Sequence, residues 1–159
     1  MSSLNEFTSK KSIHHWPITL LRVYAGAFFI YYGFGKITNP DFADGLAGFV
    51  TGNLDKCYGF MRPFLESVVL PNSGVFAFLV SWGEFLIGGA LIVGLATRYA
   101  SIAGALMVAA FWFTKGQGFW SAQNHDAIWF VIFVVLAGVH AGRVHSLDSR
   151  LADRFRFLA

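Results

Sequence analysis

Two of the apolar blocks in this chain have no polar face on which a helix of a water-soluble domain could meet solvent. Ala100–Phe113 carries Ser101 as its one polar side chain, and Ile128–Val139 carries none. A surface helix of a soluble domain shows a polar stripe opposite its apolar one. Four apolar blocks stand out, at residues 17–36, 74–95, 97–114 and 126–142. Each is near the ~20 residues that cross a hydrocarbon core of ~30 Å, the last two needing interfacial flanks to do so. At 55% hydrophobic and 13% charged, the chain lacks the polar surface a small soluble domain requires. The expectation is an all-α protein: an integral membrane four-helix bundle forming a single domain over residues 1–159. Its first extracytoplasmic connection, 37–73, should carry short amphipathic helices.

The charges give this bundle an orientation. Lys10, Lys11, Arg98, Arg143, Arg150, Arg154 and Arg156 all fall on one side of an even-numbered bundle. The opposite loops hold Lys36, Lys56, Arg62 and Lys115, diluted by Asp41, Asp44, Asp55, Glu66 and Asp126. Both termini are therefore expected in the cytoplasm, in a multi-pass membrane protein. The net charge of +3 is then a topology signal and a contact for anionic lipid. It does not point to nucleic acid, since no aromatic-interleaved basic groove accompanies it. The N-terminal stretch has no small-residue cleavage pattern before the first block, so it reads as retained. Cys57 is the only cysteine, which leaves no intrachain disulfide and no thiolate metal cluster to build.

Pro17 suits the first turn of the first helix, and Thr38, Asn39, Pro40 and Asp41 form its stop signal. Beyond it, Phe42, Leu46, Phe49 and Val50 recur at helical spacing, as do Phe60, Phe64, Leu65 and Val68. These predict two short amphipathic helices parted by Gly52 and Asn53, either a lid over the bundle or a plain interfacial connector. The short turn from Gly94 to Thr97 makes the second and third long helices antiparallel neighbours. Glycine and alanine are frequent in the first three blocks, at Gly26, Gly33, Gly88 and Gly104 among others, and permit close helix contact. Trp112, Trp120 and Trp129 gather near the outer rim as an interface belt or as a stacking surface for a planar ligand.

Ionisable residues within the blocks are the candidate functional positions. Counting inward from the outer helix ends puts Arg22 about 21 Å deep and Glu84 about 17 Å deep. An Arg22–Glu84 ion pair is expected, since either charge alone in lipid costs at least ~2.5 kcal/mol. Its role is either structural registration or proton or quinone chemistry. Tyr31 and Tyr32 cannot both face inward, so at most one joins a central network. At the rim Lys36, His125 and Asp126 fall at corresponding depths, with Lys36 placed to pair with Asp126 and the His125 imidazole beside them as a candidate proton acceptor. Lys36, Glu84, His125, Asp126 and Trp112 are the residues expected to bind a cofactor, with a ring lodged among Phe34, Trp112 and Trp129. The bland alternative for Lys36 and Asp126 is a snorkelling lysine and a helix cap. His140, Arg98 and Asp148 read as an inner structural cluster. His14, His15, His125 and His140 are too scattered to ligate haem. No intrinsic metal or flavin site, nucleophilic triad or phosphate loop is expected from the residues present.

The chain resembles the DoxX family of small four-helix membrane proteins, which includes the DoxD-like subunit of thiosulfate:quinone oxidoreductase. Leu21-Arg22, Gly26 and Tyr32-Gly33-Phe34-Gly35-Lys36 look like the family's Leu-Arg, Gly and His-Gly-x-x-Lys pattern, with Tyr32 in place of the frequent histidine. Glu84-Phe85-Leu86-Ile87-Gly88-Gly89 and Gly94-Leu95-Ala96-Thr97-Arg98 are similar to its Glu-x-x-x-Gly-Gly and Gly-x-x-Thr-Arg elements. Gly142-Arg143-Val144-His145-Ser146-Leu147-Asp148 looks like its closing Gly-x-x-x-Ser-x-Asp. The likeness spans about residues 18–151, and the Phe42–Asn72 stretch is longer than in shorter members.

The resemblance implies a membrane subunit of a quinone-linked oxidoreductase. It would bind quinone or quinol or anchor a redox partner, such as a periplasmic subunit active in sulfur-compound oxidation. The competing class is a non-catalytic accessory subunit stabilising a larger respiratory or photosynthetic membrane complex. A small transporter is the third, without the inverted duplication or broken-helix pairs that would support it.

Overall fold

A computed structural model describes residues 16–139 of the chain. The described part is all-helical. It comprises α1 (Trp16–Ile37), α2 (Phe42–Asn53), α3 (Arg62–Val93), α4 (Thr97–Lys115) and α5 (His125–Gly138). α1 and α3 are long and apolar enough to cross a membrane, and α5 is a shorter apolar helix. The four apolar blocks thus fall in α1, α3, α4 and α5, within a residue or two of the expected ends for α1 and α4.

Each helix ends for a local reason. Beyond α1 the Thr38 hydroxyl donates to the Phe34 carbonyl at 3.0 Å, satisfying an acceptor of the last turn. α3 stops at Gly94, whose φ of 72° is left-handed, and both Gly94 N and Leu95 N close onto the Ala90 carbonyl. Ala96 follows at φ 49°, a conformation costing an alanine about 1–2 kcal/mol. The tight turn it completes folds α4 back along α3. Asn124 caps α5, its Oδ1 accepting from Ala127 N at 3.0 Å while its Nδ2 donates to the Gly118 carbonyl at 3.0 Å.

The connector differs from the two separate short helices expected. α2 forms as its spacing predicts and includes Gly52 and Asn53, but the second amphipathic stretch is continuous with α3. Its first residues change pitch instead of breaking: an α-turn at Arg62–Phe64, a π-turn at Leu65–Val69 and a 3₁₀ turn at Leu70–Asn72 lead into regular helix from Ser73. Pro71 has no N–H and clashes with the preceding turn of a regular helix. The wide π-turn, closed by Leu70 N onto the Leu65 carbonyl, lets the chain run past it. Asn72 Nδ2 donates to the Val68 carbonyl at 2.9 Å and keeps that acceptor satisfied.

α1 and α3 pack antiparallel at backbone distance. A Cβ on Gly88 would stand 2.6 Å from the Gly26 carbonyl oxygen, and one on Gly33 would stand 2.6 Å from Phe85 N. Glycine at these points is what lets the two backbones touch. α1 meets α5 instead through rings, Phe28 on Trp129 at 4.2 Å and Phe29 edge-on to Phe133 at 4.8 Å between centroids. Phe29, Phe133, Ile87, Leu91 and Leu136 form the main core. Leu46, Val50, Leu65, Val69 and Ala77 form a second one beneath α2. α2 is therefore packed onto the bundle as a roof.

Candidate functional site

Beneath that roof lies a cavity of about 430 Å³, open at one side and bounded by all five helices. α1 contributes Phe28, Phe29, Tyr32 and Lys36, residues that share a face at helical spacing. From α2 come Phe42, Gly45, Leu46 and Phe49, and α4 adds Val108, Phe111 and Lys115. Glu84 enters from α3, and His125, Asp126 and Trp129 from the start of α5. The walls are mostly rings, and the charges gather toward one end.

Four of the five expected cofactor-binding residues, Lys36, Glu84, His125 and Asp126, line this one cavity. Trp112 does not. Its Nε1 donates to the Gln117 carbonyl at 2.6 Å and its ring packs against Phe113 and Phe119. The face of α4 turned to the cavity carries Val108, Phe111 and Lys115, and the next residue after Phe111 is rotated by about 100°. Of the rings expected beside it, Trp129 lines the cavity and Phe34 points outward, 57% exposed. Tyr32 joins the cavity wall, whereas Tyr31 is 74% exposed, in line with the opposed directions expected of neighbours on a helix.

The ion pairs differ from those expected. Glu84 Oε1 is bound by Lys36 Nζ, not by Arg22. Counting depth along the sequence takes Ser73 as level with Lys36, but α3 extends further outward and Glu84 itself lies at the Lys36 level. Contact of Gly33 with Ser81, Glu84 and Phe85 fixes this register. Arg22, buried at 2% exposure, lies about three helical turns (~16 Å) from Gly33 toward the other end of α1. Lys36 likewise does not pair with Asp126: Lys115 Nζ does, at 2.8 Å, as an ion pair without hydrogen-bond alignment. Lys115 closes α4 and Asp126 opens α5, so each also faces the helix-dipole end that favours its sign. That placement was the available sequence signal for this pair.

Lys36 is held on three sides. Besides Glu84, its ammonium lies 5.6 Å from the Phe42 ring centroid and 5.5 Å from that of Phe111, within cation–π range. The second oxygen of Glu84 has no hydrogen-bond partner among the described residues. Two opposite-charge pairs thus face one aromatic cavity, with His125 exposed at its edge. Such a site can hold a planar ring and offer its oxygens both donors and acceptors.

The chain that follows α2 is fixed to the end of α4 and the loop beyond it. Tyr58 N donates to the Phe113 carbonyl at 3.0 Å, and the Tyr58 hydroxyl to that of Gln117 at 3.2 Å. Gly116, at φ 63°, passes so close that a Cβ there would overlap the Lys56 carbonyl oxygen. His14, His15, His140 and Asp148, with the tail cations Lys10, Lys11 and Arg143 onward, lie outside the described residues.

No curated protein and no solved structure matches the chain. The Leu-Arg and glycine elements of α1 and the Glu84–Arg98 stretch fall within a matched family model, while the closing element at 142–148 lies beyond it. That model, described as DoxX, matches residues 18–116, more than half of the sequence, and the chain accordingly belongs to the DoxX family.

Proposed function

We propose that this protein is a four-helix transmembrane subunit of a quinone-linked oxidoreductase in the bacterial inner membrane. Both termini lie in the cytoplasm, and α1, α3, α4 and α5 are the spans. Family membership and the apolar helices mark a membrane protein. The distribution of exposure supports the span assignment. Leu20, Phe78, Leu86, Leu106 and Ile128 each leave more than half their surface exposed, while Arg22, Ser81, Glu84 and Ser101 are buried. Apolar outside and polar inside is the arrangement a lipid solvent favours. The lysine and arginine asymmetry of the loops supports the orientation.

The observation that carries the redox reading is the aromatic cavity closed at one end by Lys36–Glu84 and Lys115–Asp126. Its volume falls within the range of small-ligand sites. A quinone headgroup is a flat apolar ring with oxygens at opposite edges, and the residues present fit both parts. Phe28, Phe111 and Trp129 would flank the ring, while Lys36, Tyr32 and His125 would donate to its oxygens. The quinone supplies redox chemistry when bound. This chain's residues bind and orient the ring and shield it from water, and a partner subunit supplies the electrons, in sulfur-compound oxidation or a related reaction.

The test is to purify the protein with its native neighbours and measure saturable binding of a quinone carrying a photoreactive group on its ring. Labelling is expected at Lys36, Trp129 and neighbouring residues, with weaker binding in Lys36→Met. If labelling is not saturable and the cavity proves filled by lipid while the protein only contacts larger subunits, the accessory-subunit reading replaces this one.

A further inference from the structure

A second chamber, of about 200 Å³, lies beside the first between α2, the opening turns of α3 and α4. Its lining is apolar throughout except for Thr114, whose hydroxyl is already used on the Ala110 carbonyl at 2.8 Å. Leu46, Phe49 and Phe111 belong to both chambers. These three side chains form the partition between them, and Phe49 and Phe111 meet edge-on at 5.9 Å. Neither ring is fully buried, and the polar contact at the partition is that of the Lys36 ammonium over the Phe111 ring.

Position, chemistry and size give the chamber a specific occupant. The Lys36 ammonium lies 5.5 Å from the Phe111 ring, so the charged end of the large cavity abuts the partition. A ring whose oxygen is held by Lys36 therefore has its neighbouring substituent at Phe49 and Phe111. Met61 and Met107, flexible and polarisable, line the far side and suit an irregular apolar chain. A dry chamber with no polar group to anchor water is occupied by apolar matter or by nothing. Its outer mouth is marked by the exposed Phe64 and Ala110, so a long chain can enter and leave again on the lipid side.

We propose that this chamber binds the first part of the hydrocarbon tail of the same ligand, making the site specific for a lipid-tailed ring in place of a small soluble one. The inference rests on the quinone reading of the larger cavity. The tail passes between Phe49 and Phe111, runs along Met61 and Met107, and leaves beside Ala110.

Two photoreactive quinones test it, identical except that one carries the reactive group on the ring and the other on the first isoprenoid unit. The full-length protein in lipid nanodiscs is labelled with each and mapped by peptide mass spectrometry. The tail probe is expected to mark 61–69 and 107–114. In Ala110→Phe, which turns a ring into the mouth from an exposed position, most of that tail label is lost while ring labelling near Lys36 persists. Ring labelling at the cavity with tail label on the lipid-facing sides of α1 or α5 overturns the tail chamber and leaves the quinone reading intact. The tail chamber falls equally if a bilayer phospholipid with a photoreactive acyl chain fills the space and the quinone tail does not displace it. Absence of saturable labelling by either quinone removes the quinone reading, and the tail chamber with it.

Discussion

The two interfaces that α1 makes are built on opposite principles. Toward α3 it meets glycine with glycine, backbone against backbone at Gly26 and Gly88, and leaves no space between. Toward α5 it meets ring with ring, Phe28, Phe29, Trp129 and Phe133 holding the helix axes apart. The close interface sets register, and with it the meeting of Lys36 and Glu84. The ring-built interface sets width, and with it the room for the cavity. Without a hydrophobic driving force between helices in lipid, packing shape carries both tasks.

Substitutions can break this contrast, beginning with the largest expected effect. Phe133 is fully buried, and Phe133→Ala should cost about 3–5 kcal/mol by leaving an unfilled cavity, read as a drop in denaturant midpoint in detergent micelles. Gly88→Val drives a side chain into the α1 backbone and should cost about 3 kcal/mol. It should also reduce binding at the cavity by disturbing the register beneath Glu84. If Gly88→Val destabilises the protein without touching ligand binding, the glycine contact does not set the geometry of the site.

The third test sharpens the ion-pair assignment. Lys36→Met and Glu84→Gln, alone and together, should show a coupling energy of about 1–3 kcal/mol in a double-mutant cycle. Each single change strands a partner in apolar surroundings, and the double change relieves it. The same cycle on Arg22 and Glu84 should be additive to within about 0.5 kcal/mol, and substantial coupling there would restore the pair that the register disfavours. The smallest effect is expected at Gly89, where an added Cβ meets nothing within 4 Å. Gly89→Ala should be neutral or stabilising by about 0.5–1 kcal/mol, and a large loss there would mean that glycine at the adjacent Gly88 is not a matter of contact at all.

Most of the helical architecture was legible in the chain. Long apolar blocks announced α1, α3, α4 and α5, and the spacing of Phe42, Leu46, Phe49 and Val50 announced the roof. The gathering of Lys36, His125 and Asp126 followed from their corresponding depths at the helix ends, whereas the depth count set Glu84 about 17 Å inward, away from the level at which it meets Lys36. Pairing within that group did not follow, because two helices joined by a long connector have no fixed relative depth. Only the contacts of Gly26, Gly33 and Gly88 supply it, and those glycines by themselves do not say which partner each one touches. The direction of Trp112 was missed for a different reason: one residue along a helix changes the face, and an indole at the rim suits a cavity wall and a loop anchor equally.

The π-turn at Leu65–Val69 has a consequence for how this protein tolerates change in length. Such a turn accommodates one residue more than a regular helix does over the same rise. Deleting Ser67 would restore ordinary pitch and swing everything ahead of it by about 100° around the α3 axis. Leu65, now 3% exposed against the roof, would be carried off its seat while the helices below kept theirs. The extra residue therefore acts as an indexing notch, setting at which angle the connector enters the helix that carries Glu84.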